Sequence, residues 1–251
     1  RAHPALFNGG GVGLAPPAPA GDRERQIFAD LQAVRPTVLK GVPLFWETVE
    51  QACRLMRDQT LELLGGRVRL LLCGAGSLSP GVAKFFGQCR TADGEPTQLL
   101  VAYGATECGN IAVNGRLQPN VEHRLLEAEG LPAGVAELAV RTGLMFGGYH
   151  QDEARTRAAF TADGFYRTGD LVRITDPAPG DPPGGPWVEV IGRRGSTIKL
   201  ANGRWVCPES LEDLYRQVEG VRHIFVHGEP QADCLVAVVD LGPDSPAGQA
   251  G

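Results

Sequence analysis

The stretch RVRLLLCGAGSLSPGVAKFFGQC (67–89) constrains the fold more tightly than any other part of the chain. Val68 to Cys73 is an apolar run of strand length, broken only by Arg69, and it feeds directly into Gly74-Ala75-Gly76. Ser79 then stands where a helix N-cap is needed and Pro80 at the first helical position, so a helix follows the loop. QLLVAYG (98–104) is the next apolar strand. Strand, helix and strand at this spacing predict a parallel α/β sheet, in which ligands sit beyond the carboxyl ends of the strands. The Gly-Ala-Gly loop and the YGATE stretch (103–107) both fall at such ends.

The preceding residues fit the same layer. Residues 24–34 read as helix and RPTVLKGVP (35–43) as a short buried strand. LFWETVEQACRLMRDQTLELL (44–64) reads as an amphipathic helix, with Trp46, Val49, Cys53 and Met56 at three-and-four spacing on a core face. LFNGGGVGLAPPAPAGD (6–22) reads as loop, because its glycines lack the G-x-G-x-x-G spacing and prolines stand where a helix should follow.

Past about residue 133 the texture changes. GVAELAVRTGLMFGGYH (134–150) and GFYRTGDLVRI (164–174) are alternating strands between glycine turns, and they predict a small β-barrel or curled sheet over 133–193. TDPAPGDPPGGPW (175–187) is a loop between two strands. From Gly192 the chain restarts as hairpin, helix and strands. Pro208 lies near the helix start, and Leu211, Leu214, Tyr215 and Val218 form an expected apolar face. This gives a large domain over 1–193 (α/β to 132, β-rich from 133) and a smaller α+β domain over 194–251, with the boundary near Arg194-Gly195.

Composition removes several classes of function. A net charge of −5 supplies no basic field for nucleic acid. No apolar run approaches the roughly 20 residues of a membrane helix. The six cysteines are scattered without a Cys-x-x-Cys pair and the five histidines are dispersed, so neither disulfides nor a zinc site is expected and a reducing, cytoplasmic setting is.

Three segments carry groups suited to chemistry. In YGATE, Tyr103 offers a ring face on which a purine can stack, Thr106 a hydroxyl for a phosphate oxygen, and Glu107 a hard oxygen for magnesium. Each has an ordinary alternative: a core ring for Tyr103, a helix-start carboxylate for Glu107. In YRTGD (166–170), Asp170 can accept from two adjacent hydroxyls such as a ribose diol, or simply bond its own turn. In GRRGS (192–196), Arg193 presents fixed donors to a ribose or phosphate, or is solvated.

Taken together and in this order, YGATE, YRTGD and GRRGSTIKLANGRWVCPESLE (192–212) resemble three signature motifs of the adenylate-forming superfamily of acyl-CoA synthetases, adenylation domains and luciferases. RPTVLKGVPLFWETV, CGAGSLSPGVAKFF and GGYHQDEARTRAAFTADGFYRTGD are similar to further stretches of that superfamily, so the likeness runs over most of 35–240. IKLANG has the longer lysine-to-glycine spacing that resembles long-chain acyl-CoA synthetases and carboxylic acid reductase adenylation domains, and TECGNIAVNG has a reductase-like form.

The resemblance implies the following roles. Gly74, Ala75 and Gly76 line an adenine pocket, with Tyr103 against the base and Gly104 in the same nucleotide site. Thr106 meets the phosphate, Glu107 binds Mg2+, and Asp170 grips the ribose diol with Arg193. Gly195 stands at a hinge usually filled by aspartate or lysine, and Lys199 and Gly203 lie on the loop that approaches a thiol acceptor. Catalytic weight falls on Thr106, Glu107 and Lys199. The implied cofactors are ATP or AMP, Mg2+ and a coenzyme A or phosphopantetheine thiol. The implied partners are a carboxylic acid, fatty in class, and coenzyme A or an acyl carrier protein. Two superfamily features have no counterpart. Residues 1–98 hold nothing like the threonine/serine/glycine-rich phosphate loop, and the late catalytic lysine is expected after residue 251. A partial large domain followed by the start of a mobile small domain, inactive by itself, is the expectation. A carboxylic acid reductase adenylation domain and a degenerate, non-catalytic binding module are the alternatives.

Overall fold

The computed structural model describes residues 23–57, 61–76, 78–127, 131–218, 220–229 and 232–241. The glycine- and proline-rich stretch 6–22 lies outside them. The chain divides into two compact units, Arg1–Val101 and Ala102–Gly251.

In the first unit, α1 (Arg23–Val34), β1 (Val38–Gly41), α2 (Pro43–Met56), a 3-10 turn (Glu62–Leu64), β2 (Leu70–Cys73) and α3 (Pro80–Gln88) precede β3 (Gln98–Ala105), whose second half belongs to the other unit. β1, β2 and the first half of β3 pair in parallel, with Leu39 opposite Leu71 and Leu71 opposite Leu99. The helix α3 begins as its sequence requires: the Ser79 hydroxyl accepts from the Val82 amide at 3.3 Å and Pro80 opens the first turn. Its Val82, Phe85 and Phe86 are buried, and Phe86 meets the Trp46 ring edge-on at 5.4 Å.

Trp46, Val49 and Cys53 of α2 face the core, whereas Met56 is 55% exposed and the helix stops there. The expected run to Leu64 is therefore shorter. Arg57 adopts a left-handed backbone and caps the helix through its amide. The polar string Arg57-Asp58-Gln59-Thr60 interrupts the apolar stripe, and Leu61 and Leu64 reach the core from a separate turn. Gly41 ends β1 because α2 folds back over it: a Cβ there would lie 2.5 Å from the Phe45 ring.

The second unit is mainly antiparallel. β4 (Gly109–Val113), β5 (Arg116–Leu117), β6 (Glu122–Leu126), β7 (Ala136–Arg141), α4 (Glu153–Ala158), β8 (Tyr166–Thr175) and β9 (Trp187–Arg193) follow the end of β3. They pair in the order β3-β4-β5-β9-β8-β7-β6. The run expected as a small barrel or curled sheet is thus an antiparallel sheet, over a core that includes Ile111, Leu138, Val140, Tyr166 and Val172. After β9 come a 3-10 turn (Arg194–Ser196), the hairpin β10 (Ile198–Lys199) and β11 (Trp205–Val206), α5 (Pro208–Tyr215), and the antiparallel pair β12 (Val221–His227) and β13 (Val236–Leu241). The apolar face expected on α5 is not buried: Leu214, Tyr215 and Val218 are 58%, 48% and 52% exposed, and the helix ends before Val218. The helix is tied to β12, where the Val226 amide donates to Glu212, and to β9, where the Ser210 hydroxyl donates to the Ile191 carbonyl, and neither strand covers Leu214 or Tyr215. No helix among the described residues is long and apolar enough to cross a membrane.

Candidate active site

The YGATE stretch is a hairpin. β3 turns through Thr106-Glu107-Cys108 into β4, and the Cys108 amide closes the turn on the Ala105 carbonyl at 3.3 Å. The strands approach so closely that a Cβ on Gly104 would sit 2.2 Å from the Gly109 carbonyl oxygen. Glycine at 104 is a steric requirement. Thr106 is exposed at the tip of the hairpin.

Glu107 is half-buried and held from two directions. Its carbonyl accepts from the Phe146 amide at 2.7 Å, and its Oε1 accepts from the Tyr149 hydroxyl at 3.0 Å. The Thr142 hydroxyl donates to the Cys108 carbonyl at 2.8 Å, so the loop after β7 staples the hairpin turn. Phe146, Tyr149, Phe160 and Tyr166 form an aromatic cluster behind it, and burial followed by the Glu107 charge raises the Tyr166 phenol.

Asp170 lies within β8 and is only 6% exposed. Gly169 before it has φ +72, and the Asp170 amide donates to the Thr168 hydroxyl at 3.0 Å. Asp170 faces Arg193 in the β8–β9 register, and Arg193 Nε lies 2.8 Å from Oδ1. The Tyr103 hydroxyl donates to Oδ2 at 2.7 Å. Burial raises the Asp170 carboxyl above its ordinary value, and the Tyr103 bond and Arg193 charge pull it back. Burial and the Asp170 charge raise the Tyr103 phenol, which stays a donor. Tyr103 occupies one lone pair of Oδ2 and Arg193 one of Oδ1, and a carboxylate oxygen has two, so both retain capacity for a further hydroxyl.

Of the residues singled out in the sequence, Tyr103, Asp170 and Arg193 are in direct contact, and Gly104, Thr106 and Glu107 share the Tyr103 hairpin. Gly74, Ala75 and Gly76 follow β2 in the first unit, with Ala75 left-handed at φ 68. Lys199 is exposed on the β10–β11 hairpin with its ammonium 5.7 Å from the Trp205 ring, and Gly203 has φ +79 in the same hairpin. Gly195 occupies the turn after β9, where a Cβ would meet nothing within 4 Å. Among the described residues no three His, Cys, Asp or Glu gather as a metal site. Glu107 alone suits an ion held mainly by phosphates and water, which is how Mg2+ is usually bound.

Four residues escaped sequence reasoning. Tyr149 holds Glu107, and Glu137 is 2% exposed yet bound by both Arg167 and Arg194. The signal for Glu137 was available, since it is a single carboxylate inside the apolar run of β7. Tyr149 carried none.

A mixed α/β sheet ending in a Thr-Glu hairpin, beside an aspartate clamped by tyrosine and arginine, defines a class that the comparisons with known proteins specify. Residues 2–149 match the model of the AMP-binding enzyme family, and the chain belongs to that family. It is 30% identical to the peroxisomal long chain acyl-CoA synthetase 6 of Arabidopsis thaliana, over 96% of this chain and 35% of that protein. It is 29% identical to the carboxylic acid reductase of Mycobacterium marinum, over 85% of this chain and 19% of that protein. The solved A-PCP didomain of a Segniliparus rugosus carboxylic acid reductase in complex with AMP is similar with a TM-score of 0.68 and 28% identity, covering 89% of this chain and 33% of that one. The chain thus spans about a third or less of the length of these relatives.

Proposed function

We propose that this chain is the adenine- and ribose-binding portion of an acid–thiol ligase. In the longer protein a carboxylate oxygen attacks the α-phosphorus of ATP, pyrophosphate leaves, and the acyl-AMP then passes its acyl group to the thiol of coenzyme A or of a carrier protein, releasing AMP. The observation that carries this reading is the buried Asp170 carboxylate, held by Tyr103 and Arg193 with capacity left on both oxygens for a diol.

Under this reading Tyr103 does two things: it orients Asp170 through its hydroxyl and offers its ring to the base. Gly74, Ala75 and Gly76 line the base pocket. Thr106 donates to a phosphate oxygen, and Glu107, fixed by Tyr149, holds the magnesium that neutralises phosphate charge. Residues 194–251 begin a small domain that turns about Gly195 and brings Lys199 and Gly203 toward the thiol. The phosphate loop and the late lysine come from outside these residues, so the 251-residue chain alone is inactive, and the whole enzyme works in the cytoplasm on a fatty acid.

Acid-dependent pyrophosphate release by the longer protein tests the reaction, and silence with a broad panel of fatty and aryl acids would sink it. Asp170→Ala is expected to weaken AMP binding by roughly 5- to 150-fold, the equivalent of about 1–3 kcal/mol for hydroxyls left unpaired. Unchanged binding by calorimetry would remove Asp170 from the site. A second reading, an adenylation domain of a carboxylic acid reductase, has support from the similar identity to both kinds of relative. NADPH-dependent formation of aldehyde by the longer protein would select it.

A further inference from the structure

The most deeply buried ion cluster outside the proposed nucleotide site is centred on Glu137. Its side chain is 3% exposed on β7, the strand next to the β6 edge of the sheet. Arg167 grips it with two bonds, Nε to Oε1 at 3.1 Å and Nη2 to Oε2 at 2.7 Å. Arg194 adds a third from its Nη1 to Oε2. The two arginines differ in where they come from. Arg167 belongs to β8, paired on both sides within the sheet. Arg194 opens the turn that leaves β9 toward the β10–β11 hairpin and Lys199.

We propose that Arg194 is a releasable clasp: its bond to Glu137 fastens the turn after β9 to the sheet, and Arg167 keeps the buried carboxylate satisfied when that bond opens. The asymmetry of the three bonds supports this. Losing Arg167 would leave a buried carboxylate on a single bond, which is strongly destabilising. Losing Arg194 leaves two charge-assisted bonds in the side-on geometry that suits a guanidinium and a carboxylate. The surroundings also leave the turn room to move. A Cβ on Gly195 would meet nothing within 4 Å, and Arg194 is itself 48% exposed. Two hydroxyl bonds tie the turn and the following helix to β9 rather than to β7: the Thr197 hydroxyl donates to the Arg193 carbonyl, and the Ser210 hydroxyl to the Ile191 carbonyl. Arg194 therefore couples the direction of the departing chain to the sheet that also carries Asp170. Arg194 is a positioning residue for Lys199. The clasp itself rests on geometry, and only its catalytic consequence rests on the proposed ligase reading.

Hydrogen exchange of the peptide spanning residues 193–200, measured on the 251-residue chain, tests the clasp without any activity assay. Arg194→Ala is expected to speed exchange of that peptide about tenfold, the effect of one lost charged hydrogen bond, while leaving the thermal midpoint unchanged. Arg194→Lys, which keeps one donor and the charge, should restore most of the protection. Arg167→Ala should lower the midpoint or prevent folding. Unaltered exchange in Arg194→Ala would overturn the proposal, as would a midpoint loss in Arg194→Ala equal to that in Arg167→Ala. In the longer protein, Arg194→Ala should alter the thiol-transfer step more than pyrophosphate release. Equal effects on both steps, with exchange behaving as expected, would refute the ligase role assigned to the turn and leave the clasp standing.

Discussion

Replacing Tyr103 by phenylalanine isolates one bond at the proposed site. The ring and its packing stay, so apolar burial is unchanged, and one hydroxyl bond of 2.7 Å to a carboxylate that is 6% exposed is deleted. A hydrogen bond to a charged partner contributes about 1.5–3 kcal/mol net. Arg193 keeps the other oxygen, so the carboxylate is not abandoned, and the expected loss is toward the lower end, about 2 kcal/mol. For a unit of this size that lowers the melting midpoint by roughly 4–8 °C. The pH dependence supplies a second reading of the same bond. Burial raises the Asp170 carboxyl above its unfolded value, so its contribution to stability is complete below the unfolded value and is lost as pH rises through the folded one. The Tyr103 hydroxyl limits that loss because it favours the charged form. The penalty of Tyr103→Phe should therefore be largest at about pH 7 and shrink as pH falls through the raised folded value, above the ordinary aspartate range, where the carboxyl takes up its proton. Thermal unfolding of both proteins across this range measures it. A midpoint change under about 1 °C at neutral pH, or a penalty independent of pH, would refute the reasoning.

Local rules carried the sequence reading as far as local structure extends. Ser79 and Pro80 start α3 because capping is decided within four residues, and the Val68–Cys73 run supplies β2 over Leu70–Cys73. The end of α2 was harder. Spacing alone extends the helix to Leu64, but the left-handed Arg57 redirects the chain so that Leu61 and Leu64 reach the core separately. The face of α5 failed for a different reason: three-and-four spacing says which side chains align, not whether anything lies above them. At the site, residue types suited to a nucleotide were legible in YGATE and YRTGD. The bond that joins these motifs spans 67 positions, and no periodicity encodes it. Glu137 lies between these cases. A carboxylate in a buried strand must find cations, and the sequence announces that need without naming Arg167 and Arg194 as the answer.

Three further outcomes are expected. Gly104→Ala would force a Cβ to 2.2 Å from the Gly109 carbonyl, with backbone rather than a flexible side chain in the way, and should cost at least about 2 kcal/mol in urea unfolding. Trp46→Ala should cost about 3–5 kcal/mol in the first unit, since the ring is fully buried against Phe45 and Phe86 and its Nε1 has no hydrogen-bond partner to lose. Glu137→Gln changes charge at nearly constant volume. Burial opposes ionisation of Glu137, yet Arg167 and Arg194 together hold its carboxyl below the ordinary value. A depressed folded value means that its stabilisation is present above the unfolded value and is lost as pH falls through the folded one. This sign is opposite to that of Asp170, so the two carboxylates can be separated by titration. Because both arginines are partly exposed, solvent offsets some of their lost partner, and the expected penalty at about pH 7 is near 2 kcal/mol rather than the full cost of a buried pair. Urea midpoints of the two proteins should converge as pH falls through the depressed folded value, below the ordinary glutamate range, where the wild-type carboxyl takes up its proton. A penalty that persists unchanged at that pH would mean that Glu137 acts through shape and not through charge.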